Sequence, residues 1–255
     1  MSEEKQQWRS FYPHLNNAVT GGSIEIEGPE HHFISRVLRL RPGQLLELFD
    51  GSGKVATCQI DSIEKRSASL TINSIHNIQK PSAETHLFLA TPKQSTLEES
   101  LNLAFQLGFT HTHIFKSDKT HHKGHLKQDK LEKIAVECLR VTREAWLPSV
   151  KCYENLNQVR SYFNEVETLL FCDESPVYEN GEKQKNLLQA MSDIDPKTQK
   201  IGLLIGPEAS FSPKEREVIK TIPHQAVLLG HRILKVPAAV AAGGSILGMW
   251  RDSKQ

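Results

Sequence analysis

Apolar positions along this chain follow two different rhythms. Over residues 23–78 they alternate in short runs, SIEIEG, QLLELFD, KVATCQID and ASLTINSI, separated by Arg41-Pro42-Gly43 and by Asp50-Gly51-Ser52-Gly53. Alternation at this spacing, with turn residues between the runs, predicts a small β-barrel or sandwich. Residues 30–40 break the alternation and are expected to be helical, and QKPSAE, residues 79–84, is expected to be a linker.

Beyond the linker, continuous apolar runs alternate with helical periodicity. Residues 86–90, 112–115, 169–173, 201–205 and 226–230 predict strands buried on both faces. Ser95 and Glu98 are spaced to cap a helix that carries Leu97, Leu101, Ala104 and Phe105 on one face and stops at Gly108. Asp129 and Glu132 open another that ends before Pro148, and Ser212, Pro213 and Glu215 spell the N-cap, first turn and capping box of a third. This grammar predicts a mostly parallel sheet covered by helices. The chain is therefore expected to be an α/β protein, with a β-barrel domain over residues 1–78 and an α/β domain over residues 84–255.

Ligands of open parallel sheets lie outside the carboxyl ends of the strands. Here those ends are Cys172-Asp173-Glu174, Gly206-Pro207-Glu208 and Leu229-Gly230-His231-Arg232, three loops suited to framing one pocket. There is no GxxxxGK[ST] and no GxGxxG after a strand, which argues against an NTPase or an ordinary dinucleotide enzyme. After Pro237 come Ala238, Ala239, Ala241, Ala242, Gly243 and Gly244, small residues that let another backbone, a ligand or a second subunit approach closely.

Charge changes the picture locally, not globally. A net charge of +1 gives no overall pull on nucleic acid, so any such binding must come from patches. Residues 116–133 carry six lysines and His121, His122 and His125 against Asp118, Asp129 and Glu132, while Arg36, Arg39 and Arg41 form a ridge with few acids nearby. Four cysteines without a CxxC pair indicate neither a disulfide framework nor a zinc ribbon. His111 and His113 share a strand face, but no carboxylate or cysteine sits at ligand spacing with them, so no metal is expected. MSEEKQQW lacks the apolar core of a signal peptide and residues 236–250 are too short to span a bilayer, so the cytoplasm is the expected location.

LLIGPEASFSPKE followed by LLGHRILKVPAA resembles the signature pair of the SPOUT methyltransferases, and among them the ribosomal RNA small subunit methyltransferase E family. HHFISRVLRLRPGQLLELFDGSG is similar to that family's PUA-like N-terminal barrel, TPKQSTLEESLNLAFQLGFTHTHIF to the start of its catalytic domain, and LEKIAVECLRVTREAWLPSV to its central helix. The resemblance implies an α/β domain with a deep trefoil knot, a homodimer, S-adenosylmethionine as methyl donor, and N3 of a uridine in 16S rRNA as acceptor. It implies a donor pocket from Cys172, Asp173, Glu174, Ile205, Gly206, Pro207, Glu208, Leu229, Gly230, Ile233, Leu234, Val236 and Pro237. Arg232 is the expected stabiliser of the uridine anion, helped by Lys235, with Glu208 orienting a neighbouring group. Arg36, Arg39, Arg41, Lys116, Lys123, Arg140 and Arg143 are the expected RNA contacts. The chain departs from the family pattern at Leu103, Gln106, Ala209-Ser210 and Pro237. Two other readings stay open: an RNA-binding module without turnover, and a SPOUT methyltransferase with a different RNA target.

Overall fold

The computed structural model describes residues 8–120, 126–174 and 184–254. They fall into two compact units, Met1–Lys80 with Leu139–Leu147, and Pro81–Cys138 with Pro148–Gln255.

The first unit is built on β1 (Trp8–Phe11), β2 (Ser23–Glu27), β3 (Leu45–Phe49), β4 (Lys54–Ile63) and β5 (Ser67–Asn77), in the order β1-β3-β4-β5-β2. Alternation does what it predicts: Ile24, Ile26, Leu46, Leu48, Ile60, Leu70 and Ile72 point inward and pack together. The expected helix is α1 (Gly28–His32), which runs on into a π-helical turn, Phe33–Val37, anchored by buried Ile34. β1 is too short to announce itself by periodicity. It pairs in parallel with β3 and buries Arg9, whose guanidinium meets Glu47 at 2.5 Å and donates to the carbonyl of Leu139 at 2.9 Å. Burial lowers the Arg9 pKa, with Glu47 acting against it. Gly51 and Gly53 adopt the left-handed φ values +75° and +98° that favour glycine. A Cβ on Gly53 would stand 2.4 Å from the ring of Trp146, whose indole N–H donates to the carbonyl of Ile78 at 3.1 Å. That close seat explains why Leu139–Leu147, distant in sequence, joins the first unit.

The second unit runs β6 (Glu84–Ala90), α2 (Gln94–Gln106), β7 (His111–Phe115), α3 (Gln128–Thr142, its last residues in the first unit), β8 (Ser149–Tyr153), α4 (Leu156–Phe163) and β9 (Thr168–Cys172). It continues with β10 (Lys185–Asn186), α5 (Leu187–Ser192), β11 (Lys200–Ile205), α6 (Pro213–Lys220), β12 (Gln225–Leu228) and α7 (Val236–Asp252). The strands form one sheet, β10-β12-β9-β11-β6-β7-β8, in which every pairing is parallel. One face carries Phe88, Phe171 and Leu204 against α4 and α6. The other meets α7, where a Cβ on Gly243 would lie 2.4 Å from Leu203 and one on Gly248 would lie 2.4 Å from the Leu107 carbonyl oxygen after α2. Tight core packing is thus what Gly243 and Gly248 serve here. Arg251, near its end, donates to the carbonyl of Gly108 at 2.8 Å. Leu97, Leu101, Ala104 and Phe105 are buried as expected, but the expected cap is corrected. α2 starts at Gln94 with Lys93 before it and no side-chain capping bond, because the helix begins a residue before Ser95.

Candidate functional site

β12, β9 and β11 are neighbours, and their register sets Val227, Cys172 and Ile205 side by side at the carboxyl edge of the sheet. The loops that follow frame a cavity of about 340 Å³, a size suited to a small-molecule cofactor. Phe171, Ile205, Phe211, Val227, Leu229 and Val236 supply apolar wall, and Asp173, Glu174, Glu208, Arg216, Arg232 and Lys235 supply charge. Of the positions expected around the methyl donor, Cys172, Asp173, Glu174, Ile205, Gly206, Pro207, Glu208, Leu229, Gly230, Ile233, Leu234 and Val236 all line this one cavity. Pro237 does not; it is buried in the first turn of α7. Arg232, Glu208 and Lys235 line it too, each exposed.

The loop from Gly206 to Ser212 is held by a buried carboxylate. Glu215 completes the capping box of α6: its Oε2 accepts from the Ser212 amide at 2.8 Å and from the Ser117 hydroxyl at 2.9 Å, and its Oε1 from the Asp118 amide at 3.1 Å. Ser212 Oγ in turn donates to Asp118 at 2.7 Å, and Lys119 donates to the carbonyl of Ala209 at 3.0 Å. The segment after β7 is therefore tied to the cavity loop. Arg216 grips Asp173 through both ends of its guanidinium and donates to Ser210, whose φ of +58° is unusual for a residue with a side chain. Periodicity gives no sign of Arg216, Ser210 or Phe211 as lining residues; the position of Arg216 in the first turn of a helix that opens beside the strand ends is the available signal. Gly230 has φ +138°, a backbone that other residues rarely adopt. Desolvation, with Asp173 next to it, pushes the Cys172 thiol well above its ordinary range, so it lines the cavity as a neutral group.

The candidate RNA contacts divide. Arg36, Arg39 and Arg41 are exposed on the first unit, and none forms an ion pair with a described residue. Arg143, just past α3, is exposed with φ +61°. Arg140 is engaged within the first unit: it pairs with Glu30 and lies 4.1 Å over the Phe33 ring. Lys116 pairs with Glu154 at 2.6 Å. Lys123 lies outside the described residues, as do His121, His122 and His125.

A carboxylate that spacing along the chain does not supply is supplied by the fold. Parallel pairing of β6 with β7 sets His86 opposite His111, and Glu84, His86 and His111 each bring a ligand-type atom within 4.8 Å of the others. Burial holds His86 at a pKa of about 4 and His113 at about 3.

A family model described as an RNA methyltransferase domain matches residues 79–248, which include every residue lining the cavity. The chain belongs to this RNA methyltransferase family. A second model, the RNA methyltransferase PUA domain, matches residues 26–73, so the first unit is PUA-like. The chain is 29% identical over 230 residues to the ribosomal RNA small subunit methyltransferase E of Synechocystis, covering 87% of this chain and 71% of that one. It is 24% identical over 231 residues to the protein of that name from Rickettsia conorii, covering 89% and 90%. A crystal structure of the Neisseria gonorrhoeae ribosomal RNA small subunit methyltransferase E, bound to S-adenosylmethionine, superimposes with a TM-score of 0.79 at 20% identity, covering 96% of this chain and 98% of that one. The shared shape supports the α/β architecture with its mostly parallel sheet.

Proposed function

We propose that this methyltransferase transfers a methyl group from S-adenosylmethionine to N3 of a uridine in the 16S rRNA of the small ribosomal subunit. The observation that carries the proposal is the cavity at the ends of β12, β9 and β11, assembled from the segments that resemble the signature pair of the SPOUT enzymes. The relatives named for small-subunit rRNA methylation support the substrate class.

The lining fits the donor. An adenine ring needs apolar wall and backbone partners, which Leu229, Gly230, Ile233 and Leu234 offer, while Glu174 and Glu208 give the cavity carboxylates suited to a cationic sulfonium and a free amino group. Gly206 leaves room that a side chain would take, since a Cβ there would stand 2.9 Å from the Phe211 ring. When bound, S-adenosylmethionine supplies an electrophilic methyl group. On the acceptor, the N3 proton would pass to water before or as N3 takes that methyl, whose bond to the donor's sulfur breaks and leaves a neutral thioether, and the negative charge on the base would spread over its two carbonyl oxygens. Arg232, with Lys235 beside it, stabilises this charge as it develops, and Glu208 orients the cation or the donor's amine. Arg36, Arg39, Arg41 and Arg143 bring phosphate contacts. The same reading carries a homodimer, a deep trefoil knot at the donor site and a cytoplasmic place of action.

Mass spectrometry of 16S rRNA from cells with and without the gene tests the proposal. A methylated uridine present only with the gene is expected, and purified protein should add the same methyl to 30S subunits that lack it. Donor and 30S binding without any gain in mass would replace the enzyme with an RNA-binding module.

A further inference from the structure

We infer that the second unit binds a divalent transition-metal ion, Zn²⁺ foremost, between Glu84, His86 and His111 at the amino ends of β6 and β7. This lies at the opposite edge of the parallel sheet from the methyl-donor cavity, and nothing in methyl transfer calls for it.

Three features of the cluster converge on a cation. First, Glu84 and His86 are two apart on β6 and so share a face, and the register with β7 adds His111, which brings the three ligand-type atoms within 4.8 Å of one another. Second, His86 is only 2% exposed, and its Nε2 has no hydrogen-bond partner. Glu84 Oε2, at 3.5 Å, lies beyond the ordinary N–H···O range. A buried nitrogen left in that state is costly, and a cation between it and the carboxylate removes the cost. Third, the ring is already supported from behind. His86 Nδ1 lies 3.2 Å from His113 Nε2, and His113 Nδ1 lies 3.1 Å from the Tyr153 hydroxyl. When Nδ1–H of each histidine donates along this chain, His86 presents its Nε2 lone pair to a metal. Outer hydrogen bonds of this kind accompany most metal-binding histidines.

The donor set selects the ion. Two imidazoles and one carboxylate suit Zn²⁺ and its neighbours, whereas Mg²⁺ and Ca²⁺ take oxygen ligands. Glu84 is partly exposed, which leaves a fourth position for water. Two features oppose binding and set its strength. The His86 and His111 rings are stacked 4.3 Å apart at 9°, so the half-buried His111 ring must turn for the two lone pairs to meet. The Lys200 ammonium, 3.2 Å from Glu84, competes for the carboxylate. Binding weaker than that of a dedicated structural zinc site follows.

The test uses the full chain, freed of metal by chelation and titrated with ZnCl₂ in a calorimeter and with CoCl₂ in a spectrophotometer. Saturable uptake of one ion per chain is expected, with the intense visible bands of four-coordinate Co²⁺. His111→Ala and Glu84→Gln should each weaken binding by about tenfold or more, with circular dichroism confirming that both remain folded. Lys200→Gln should tighten binding several-fold, an effect that damage to the fold does not produce. The combined His121→Ala, His122→Ala and His125→Ala variant should bind as wild type does. The inference is overturned if wild type takes up neither ion at millimolar concentration, if His111→Ala binds as well as wild type, if Lys200→Gln leaves affinity unchanged, or if the combined variant loses the ion.

Discussion

Arg216 holds Asp173 with both ends of its guanidinium, Nη1 to Oδ2 at 3.0 Å and Nη2 to Oδ1 at 3.3 Å, while Nη2 also donates to Ser210 Oγ at 3.0 Å. One side chain in α6 therefore links the loop after β9 to the loop after β11, two of the three that frame the cavity. The pair is partly exposed, so its worth to global stability is about 1 kcal/mol or less. Its worth to preorganisation is expected to be larger. Arg216→Ala should weaken S-adenosylmethionine binding about tenfold, since ordering two loops at the moment of binding draws on the binding energy. Arg216→Lys should recover only part, because an ammonium cannot span both carboxylate oxygens and the serine. Calorimetry on the folded variants checks this; an unchanged Kd for Arg216→Ala would mean that the loops keep their shape without the fork.

Gly230 lines the cavity with φ +138°, yet a Cβ built there meets nothing within 4 Å. The position needs glycine for its backbone, not for its space. Gly230→Ala should strain the loop by about 1–3 kcal/mol and weaken donor binding accordingly, with the cavity still open. Gly206→Ala works the other way, because its Cβ would press the Phe211 ring at 2.9 Å. Donor titration of the two variants, with a crystal structure of Gly230→Ala, separates strain from blockage.

What the sequence makes legible follows from how local each signal is. The apolar runs of β6, β9 and β11, the Ser212–Glu215 capping box and the three loops at the strand ends all rest on neighbouring residues, and all are present. β8 is an edge strand with no fully buried residue, so it has no apolar run to announce it. Arg140 reads as a free basic residue until Glu30 and Phe33 meet it across 110 residues of chain. Ser95 and Glu98 have capping-box spacing, but Gln94 is already helical, so Ser95 lies inside the helix. His111 joins Glu84 and His86 only through the parallel register of two strands, a pairing that no spacing rule supplies. Signals that depend on long-range pairing are the ones periodicity cannot carry.

Gly248 of α7 faces the main chain: a Cβ there would stand 2.4 Å from the carbonyl oxygen of Leu107. Backbone cannot step aside as a side chain can, so Gly248→Ala should cost about 1–3 kcal/mol as helix and loop are forced apart. Gly243→Ala meets only the end of the Leu203 side chain, also at 2.4 Å, and should be milder because a rotamer change relieves it. Thermal melts of both variants give the ranking, and equal losses would show that α7 shifts as freely at one place as at the other.

The sharpest test of the chemistry is Arg232. It is exposed, lines the cavity, and makes no ion pair with a described residue, so its charge is available to a bound base. If it steadies the deprotonated uridine, its contribution is greater in the transition state than in the ground state. Arg232→Ala should then lower turnover by about a hundredfold or more, as loss of one preorganised stabilising group does. Donor affinity should stay near wild type, because a sulfonium gains nothing from a nearby guanidinium. RNA affinity should lose at most one contact, with a salt slope reduced by no more than about one unit. The variant is best assayed on 30S subunits that lack the modification, with single-turnover kinetics separating the chemical step from binding. Arg232→Lys should restore part of the rate, since it keeps the charge and loses the planar fork. A wild-type rate for Arg232→Ala would pass the role to Lys235, whose substitution should then produce the loss that Arg232 did not.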